Sequence, residues 1–183
     1  MTPQRRWAAA GLLALLLAVG TCGYVARDVL ALETPPVIAS ASGGGTAGLG
    51  AASFGLDSLT VVEALATEEG KAIPAPPGAR FVRVLLRQSF EPGARLDDYT
   101  CGMTLLDTAT GREWRAGEHQ ALVSADHRAG ARGCTPSTQE QRSLVPGQQR
   151  RILLLFAVPE GAAPTLALKV ERERPPQAIL LRP

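Results

Sequence analysis

Two histidines, His119 and His127, share one polar stretch, and each has a carboxylate beside it, Glu118 and Asp126 respectively. Two imidazoles and an ionised oxygen are a donor set that suits a borderline cation such as zinc or copper. The spacing matches no recognised metal motif. His119, His127 and Asp126 are therefore metal-site candidates, and the spacing favours the reading of solvated loop residues. Asp97 and Asp98 invite a paired-acid or calcium reading, although adjacent carboxylates on a loop before a strand are commonly just solvated. Tyr99 and Trp114 flank an expected hairpin. Their rings suit either a small recognition surface or the packing of a sandwich core.

Nucleophilic and phosphate chemistry find no support. There is no Gly-x-Ser-x-Gly elbow, no Ser-x-x-Lys and no His-Glu-x-x-His. Gly43-Gly44-Gly45 lacks the strand-to-helix setting of a phosphate loop. No catalytic residue is assigned, no cofactor is implied, and the expectation is a protein that is not an enzyme.

The remaining reactive side chains are thiols. Cys101 and Cys134 are expected to pair, because both fall in the part of the chain expected outside the cytoplasm, where disulfides persist. Closing that loop removes on the order of 3–4 kcal/mol of unfolded-chain entropy. Cys22 lies in a different setting, the uncharged run 7–26, WAAAGLLALLLAVGTCGYVA, with Arg5 and Arg6 just before it. As a helix that run is about 30 Å long, the thickness of a bilayer's hydrocarbon core.

The run is read as a single membrane anchor. Leu12, Leu16 and Val19 supply its apolar body, while Trp7 and Tyr24 sit at the interfacial positions. The arginines before it hold the N-terminus in the cytoplasm, so residues 27–183 are expected to be extracytoplasmic at the cell membrane. Two alternatives stay open. Cleavage as a signal would want a small-x-small site close behind the run, and the nearest, Ala39-Ser40-Ala41, is distant. Lipidation at Cys22 would want a small residue before it, where Thr21 stands.

Charge excludes one partner class. The chain carries 19 basic and 17 acidic residues, and Arg5 and Arg6 account for the excess. The exported part is formally neutral, with no cationic stripe in the sequence, which argues against nucleic acid.

Three segments are expected: a cytoplasmic stub and anchor over 1–31, a flexible Gly/Ala/Pro linker over 32–55, and a folded domain over 56–183. In the domain, apolar runs alternate with turn chemistry. Strands are expected over 59–65, 80–88, 99–106, 112–115, 150–158, 165–170 and 178–181. Val82, Val84 and Leu86 share one face of theirs, Arg83 and Arg87 the other. Residues 70–78 break the pattern, and 116–143 read as a long polar loop tied down by Cys134. Short strands with no helix between them predict an all-β antiparallel β-sandwich.

The segments Pro77-Gly78-Ala79-Arg80-Phe81-Val82-Arg83-Val84, Leu144-Val145-Pro146-Gly147, Phe156-Ala157-Val158-Pro159 and Leu166-Ala167-Leu168 carry a resemblance. Together they resemble immunoglobulin-like domains of unknown function on exported, often lipid-anchored proteins of Gram-positive bacteria. The overall layout, with the Gly111-Arg112-Glu113-Trp114 hairpin, is similar to uncharacterised single-span actinobacterial membrane proteins. The resemblance covers roughly 56–183. It implies an immunoglobulin-like sandwich after one transmembrane helix and supplies no catalytic residues.

The functional expectation is a membrane-anchored extracytoplasmic interaction or accessory module with an unidentified protein or envelope partner. The alternative is a metal-binding domain built on the loop histidines and carboxylates. A third reading makes the anchor the working part and the sandwich a sensor.

Overall fold

Period-two alternation gives a strand one buried face; residues 82–90 follow it, whereas 152–156 and 166–170 are buried at every position. The computed structural model describes residues 34–66, 71–95, 99–116, 133–137, 145 and 147–183. Among them, eleven strands follow in chain order: Val37–Ala41 (β1), Thr46–Leu49 (β2), Ala52–Val62 (β3), Ala64–Ala66 (β4), Ala72–Pro74 (β5), Ala79–Phe90 (β6), Cys101–Asp107 (β7), Glu113–Arg115 (β8), Gln149–Pro159 (β9), Leu166–Arg172 (β10) and Gln177–Leu181 (β11). A 3-10 turn, Glu160–Thr165, joins β9 to β10.

These strands form a five-stranded sheet in the order β1-β11-β10-β7-β8, a four-stranded sheet in the order β2-β3-β6-β9, and a small β4-β5 hairpin. β1 runs parallel to β11; β6 pairs antiparallel with both β3 and β9. Val82, Val84 and Leu86 of β6 join Ile152, Leu154 and Phe156 of β9 on the inner face of one sheet. They share a single buried cluster with Leu105, Leu168, Val170, Ile179 and Leu181 of the other. Two sheets closed over one apolar core make a β-sandwich. Each such side chain contributes about 1.5–3 kcal/mol by leaving water.

A second, smaller cluster lies on the outer face of the four-stranded sheet. There Phe81 and Leu155 point away from the main core and are covered by Leu65 and Ile73 of the β4-β5 hairpin. The expected break over 70–78 therefore contains a strand, β5, which packs rather than merely turning.

The expected linker over 32–55 is corrected more substantially. From Val37 onward it forms β1, β2 and the start of β3, and Leu49 and Phe54 are completely buried. Four of its glycines, Gly43, Gly44, Gly45 and Gly50, lie in the turns between strands, while Gly48 and Gly55 lie within β2 and β3; between β1 and β2 the Gly45 N–H donates to the Ser42 carbonyl at 3.1 Å. Its alanines, Ala47 and Ala52, fill the core beside those larger side chains. The expected strand over 59–65 likewise begins earlier, at Ala52. A bulge between Leu56 and Ser58 shifts the register of β3, so the core-facing set changes from Ala52, Phe54 and Leu56 to Leu59 and Val61.

Among the described residues no helix is long and apolar enough to cross a membrane. The run containing Trp7, Leu12, Leu16, Val19 and Tyr24 lies outside the described residues.

Candidate functional site

Strand register gathers several connections at one end of the sandwich: the β2–β3 turn at residues 50–51, residues 91–95 and 99–100, the segment 133–137 and the β10–β11 turn at 173–176. Cys101 opens β7 there and is bonded to Cys134, with their Cα atoms 5.8 Å apart. The expected pairing is present. It holds 133–137 against the sandwich, and Thr135 Oγ1 accepts from the Cys101 N–H at 3.1 Å.

Beneath the bridge is a buried polar chain. Arg150, at the start of β9, donates from Nε to Gln88 Oε1 at 2.7 Å and from Nη2 to the Gly133 carbonyl at 2.7 Å. Gln88, on β6 and wholly buried, donates from Nε2 to the Cys134 carbonyl at 2.9 Å. A buried guanidinium and a buried amide are costly without partners. Here they exchange bonds with each other and with the backbone beside the disulfide.

Tyr99 closes the same end. Its hydroxyl donates to the Leu49 carbonyl at 3.1 Å, and its ring meets Phe90 edge-on at 5.4 Å between centroids. Arg172, the last residue of β10, stacks its guanidinium 5.7 Å from the Tyr99 ring centroid. Burial pushes the Tyr99 phenol well above its ordinary range, against the pull of Arg172 and Arg150 in the other direction. It remains a neutral hydrogen-bond donor. Arg172 also lies against Gly50, where a Cβ would come within 2.2 Å of Nη1, and Gly50 has φ +60°.

Tyr99 is thus a core residue, 2% exposed, and Trp114 packs half-buried against the same cluster. The structure favours the packing role over an aromatic recognition surface. Asp97, Asp98, His119, His127 and Asp126 lie outside the described residues. Among the described residues no group of three His, Cys, Asp or Glu side chains is placed to hold a metal.

Two further polar clusters join residues that are distant in sequence. At the opposite end, Asp107 closes β7 and accepts from Thr165 Oγ1 at 2.5 Å, Thr110 Oγ1 at 2.7 Å and the Ala109 N–H at 2.9 Å. These bonds hold its pKa at about 2 and fasten the β7–β8 loop to the 3-10 turn. On the outer face of the five-stranded sheet, Lys169 is buried and reaches Glu113 at 2.7 Å and Glu171. Burial alone would lower its pKa, but the two carboxylates overcome that and hold it above the ordinary value. Asp107 sits in an Asx-type turn, so Asp-Thr-Ala-Thr-Gly predicts its local bonds; the contact with Thr165, distant in sequence, has no such signature.

Glu63, the 74–80 segment and Glu160 border an open cleft of about 420 Å³, where Arg80 and Glu160 approach to 3.8 Å.

No protein-family model and no curated protein matches the chain. Two solved structures are similar to it. One is a conserved hypothetical protein from Bacillus anthracis, 9% identical, with a TM-score of 0.48, covering 73% of this chain and 89% of the other. The other is an uncharacterised β-sandwich protein from Clostridium difficile 630, 8% identical, with a TM-score of 0.44, covering 80% of this chain and 94% of the other.

Proposed function

We propose that the chain is a membrane-anchored, extracytoplasmic interaction or accessory module, non-enzymatic, with an immunoglobulin-like sandwich as its exported domain. The observation that carries this reading is the Cys101–Cys134 bridge at the loop end. A disulfide of this kind is kept in oxidising compartments, in agreement with export behind the apolar run 7–26. It also fixes the loops from which a partner is engaged, and loops ordered in advance lose less entropy on binding.

Strand order supports the immunoglobulin-like assignment. With β3, β6, β7, β8, β9, β10 and β11 taken as strands A, B, C, C′, E, F and G, the sheets read A-B-E, with β2 added beside A, and C′-C-F-G. β1 then adds a parallel strand beside G. The B–C and F–G connections lie at the disulfide end, and they are the loops through which the module contacts its partner.

The test is cross-linking and co-purification of the intact chain from its own membrane. A specific protein or envelope component should be recovered, and substitutions in 91–95 or 173–176 should reduce its yield. A hydrolytic activity abolished by a single point substitution would overturn the non-enzymatic reading. Stoichiometric zinc, copper or calcium in the purified chain would favour the alternative metal-binding role of His119, His127 and Asp126.

A further inference from the structure

One lateral side of the sandwich is built without charge. Residues 34–56 carry no charged side chain, and neither does β11. The first stretch supplies an edge strand to each sheet, β1 to one and β2 to the other, and β2 touches both β1 and β11. An edge strand presents unpaired N–H and C=O groups, which proteins commonly shield with charge. The strands at the opposite edges fit that pattern, since β8 carries Glu113 and Arg115 and β9 carries Arg151. β1, Val-Ile-Ala-Ser-Ala, does not. Val37 and Ile38 are each 50% exposed, and among the described residues only Val145 is a comparably exposed large apolar side chain.

The direction of the open backbone groups follows from one bond. The Ala41 carbonyl accepts from the Arg182 N–H at 2.8 Å, so Ala41 turns its polar groups toward β11. Successive residues of a strand alternate in this respect. Exposed Ser40 therefore directs its N–H and C=O outward, and among the described residues nothing is bonded to them.

We propose that β1 is the contact between two copies of this chain, paired antiparallel about a twofold axis at Ser40. The inference goes beyond the interaction-module reading and holds whether or not the chain is anchored. Residues near a twofold axis meet their own kind, so a charge there would face itself. An edge without charge has the composition that such a contact requires. The backbone is self-complementary as well: with Ser40 opposite Ser40, each N–H donates to the other copy's carbonyl, and the two hydroxyls share a face. Val37 and Ile38 of one copy then meet the turn at Ser42–Gly44 of the other and leave water. Pro36 has no N–H and ends the pairing on one side, while that turn ends it on the other. The contact uses up its own edge, so assembly closes at two copies and joins their five-stranded sheets into one.

The test uses the full chain in mild detergent, with Cys22→Ser as the parent so that this thiol takes no part. Sedimentation should give a protein mass about twice the chain's 19.2 kDa, falling to one chain on dilution. Opposed residues of a hydrogen-bonded pair have Cα atoms about 5.5 Å apart, within the span of a disulfide. Mild oxidation should therefore link Ser40→Cys into covalent dimers about tenfold or more faster than Ser42→Cys, whose two copies stand roughly 13 Å apart along the strands. Ser40→Asp and Ser40→Lys should each be monomeric with unchanged melting, and an equimolar mixture of the two should dimerise again. A parent chain of single mass up to about 0.3 mM would overturn the proposal. So would a dimer that persists in Ser40→Asp, which would assign association to another surface, or equal cross-linking at positions 40 and 42. A mixture of the two charged variants that stays monomeric would overturn the twofold pairing at Ser40.

Discussion

Gln88 and Arg150, sixty-two residues apart in sequence, are joined by a buried 2.7 Å hydrogen bond at the loop end of the sandwich. Through Gln88 Nε2 and Arg150 Nη2 that pair also holds the carbonyls of Cys134 and Gly133. The segment 133–137 is therefore fixed twice, once by a covalent bond and once by a polar chain beneath it. Gln88→Ala should cost about 2–3 kcal/mol, because it leaves a buried guanidinium and a buried carbonyl short of partners. Urea unfolding measures this directly. A loss below about 0.5 kcal/mol would show that water or local rearrangement replaces the bonds.

The covalent half of that attachment is tested by the C101S/C134S chain. The bridge closes a separation of 33 residues, for which the chain-entropy model gives about 3–4 kcal/mol. The unfolding midpoint should fall accordingly, and a reductant should shift the wild-type protein to the same value. A midpoint insensitive to reductant would mean that the strands alone hold the segment.

Gly50 and Arg172 offer a test by double-mutant cycle. Gly50→Ala places a methyl where Arg172 Nη1 now lies, at a backbone conformation that disfavours side chains. The expected cost is about 1–2 kcal/mol for the conformation, plus loss of the Arg172 contact with the Tyr99 ring. In an Arg172→Ala background the same substitution should cost less, since the clash is gone. Strictly additive effects would show that Arg172 swings aside freely.

Acid stability should report on Asp107. Its folded pKa of about 2 lies below the ordinary 3.8. The depressed value means that its stabilising effect is fully present above about pH 4 and is lost as the pH falls through about 2. The stability difference between wild type and Asp107→Asn should therefore shrink across that window. Denaturant midpoints for the two chains, measured at several pH values, would show parallel curves if the Thr165, Thr110 and Ala109 bonds did not favour the ionised form.

How much of this was legible beforehand depended on whether the signal was local. The long strand β6 announced itself by alternation, with Val82, Val84 and Leu86 facing inward and Arg83 and Arg87 outward, and β9 by its unbroken apolar run. Cys101 and Cys134 could be paired from compartment logic. The first part of the domain was hidden for two reasons. Turn glycines and core alanines in residues 37–55 have the composition of a tether, and the bulge between Leu56 and Ser58 breaks the period that would have marked β3. The Gln88–Arg150 chain depends on register between distant strands, which no window of sequence contains.

The central claim is that the sandwich is held outside the cytoplasm by the run 7–26. Protease treatment of intact cells or spheroplasts expressing a C-terminally tagged chain tests it most directly, with the membrane fraction washed in alkaline carbonate beforehand. The account predicts that the tagged domain stays with the membrane, is digested by protease added from outside, and carries an oxidised Cys101–Cys134 bridge. A tagged chain that is protected until the cells are lysed, is released by carbonate and has both thiols free would contradict it.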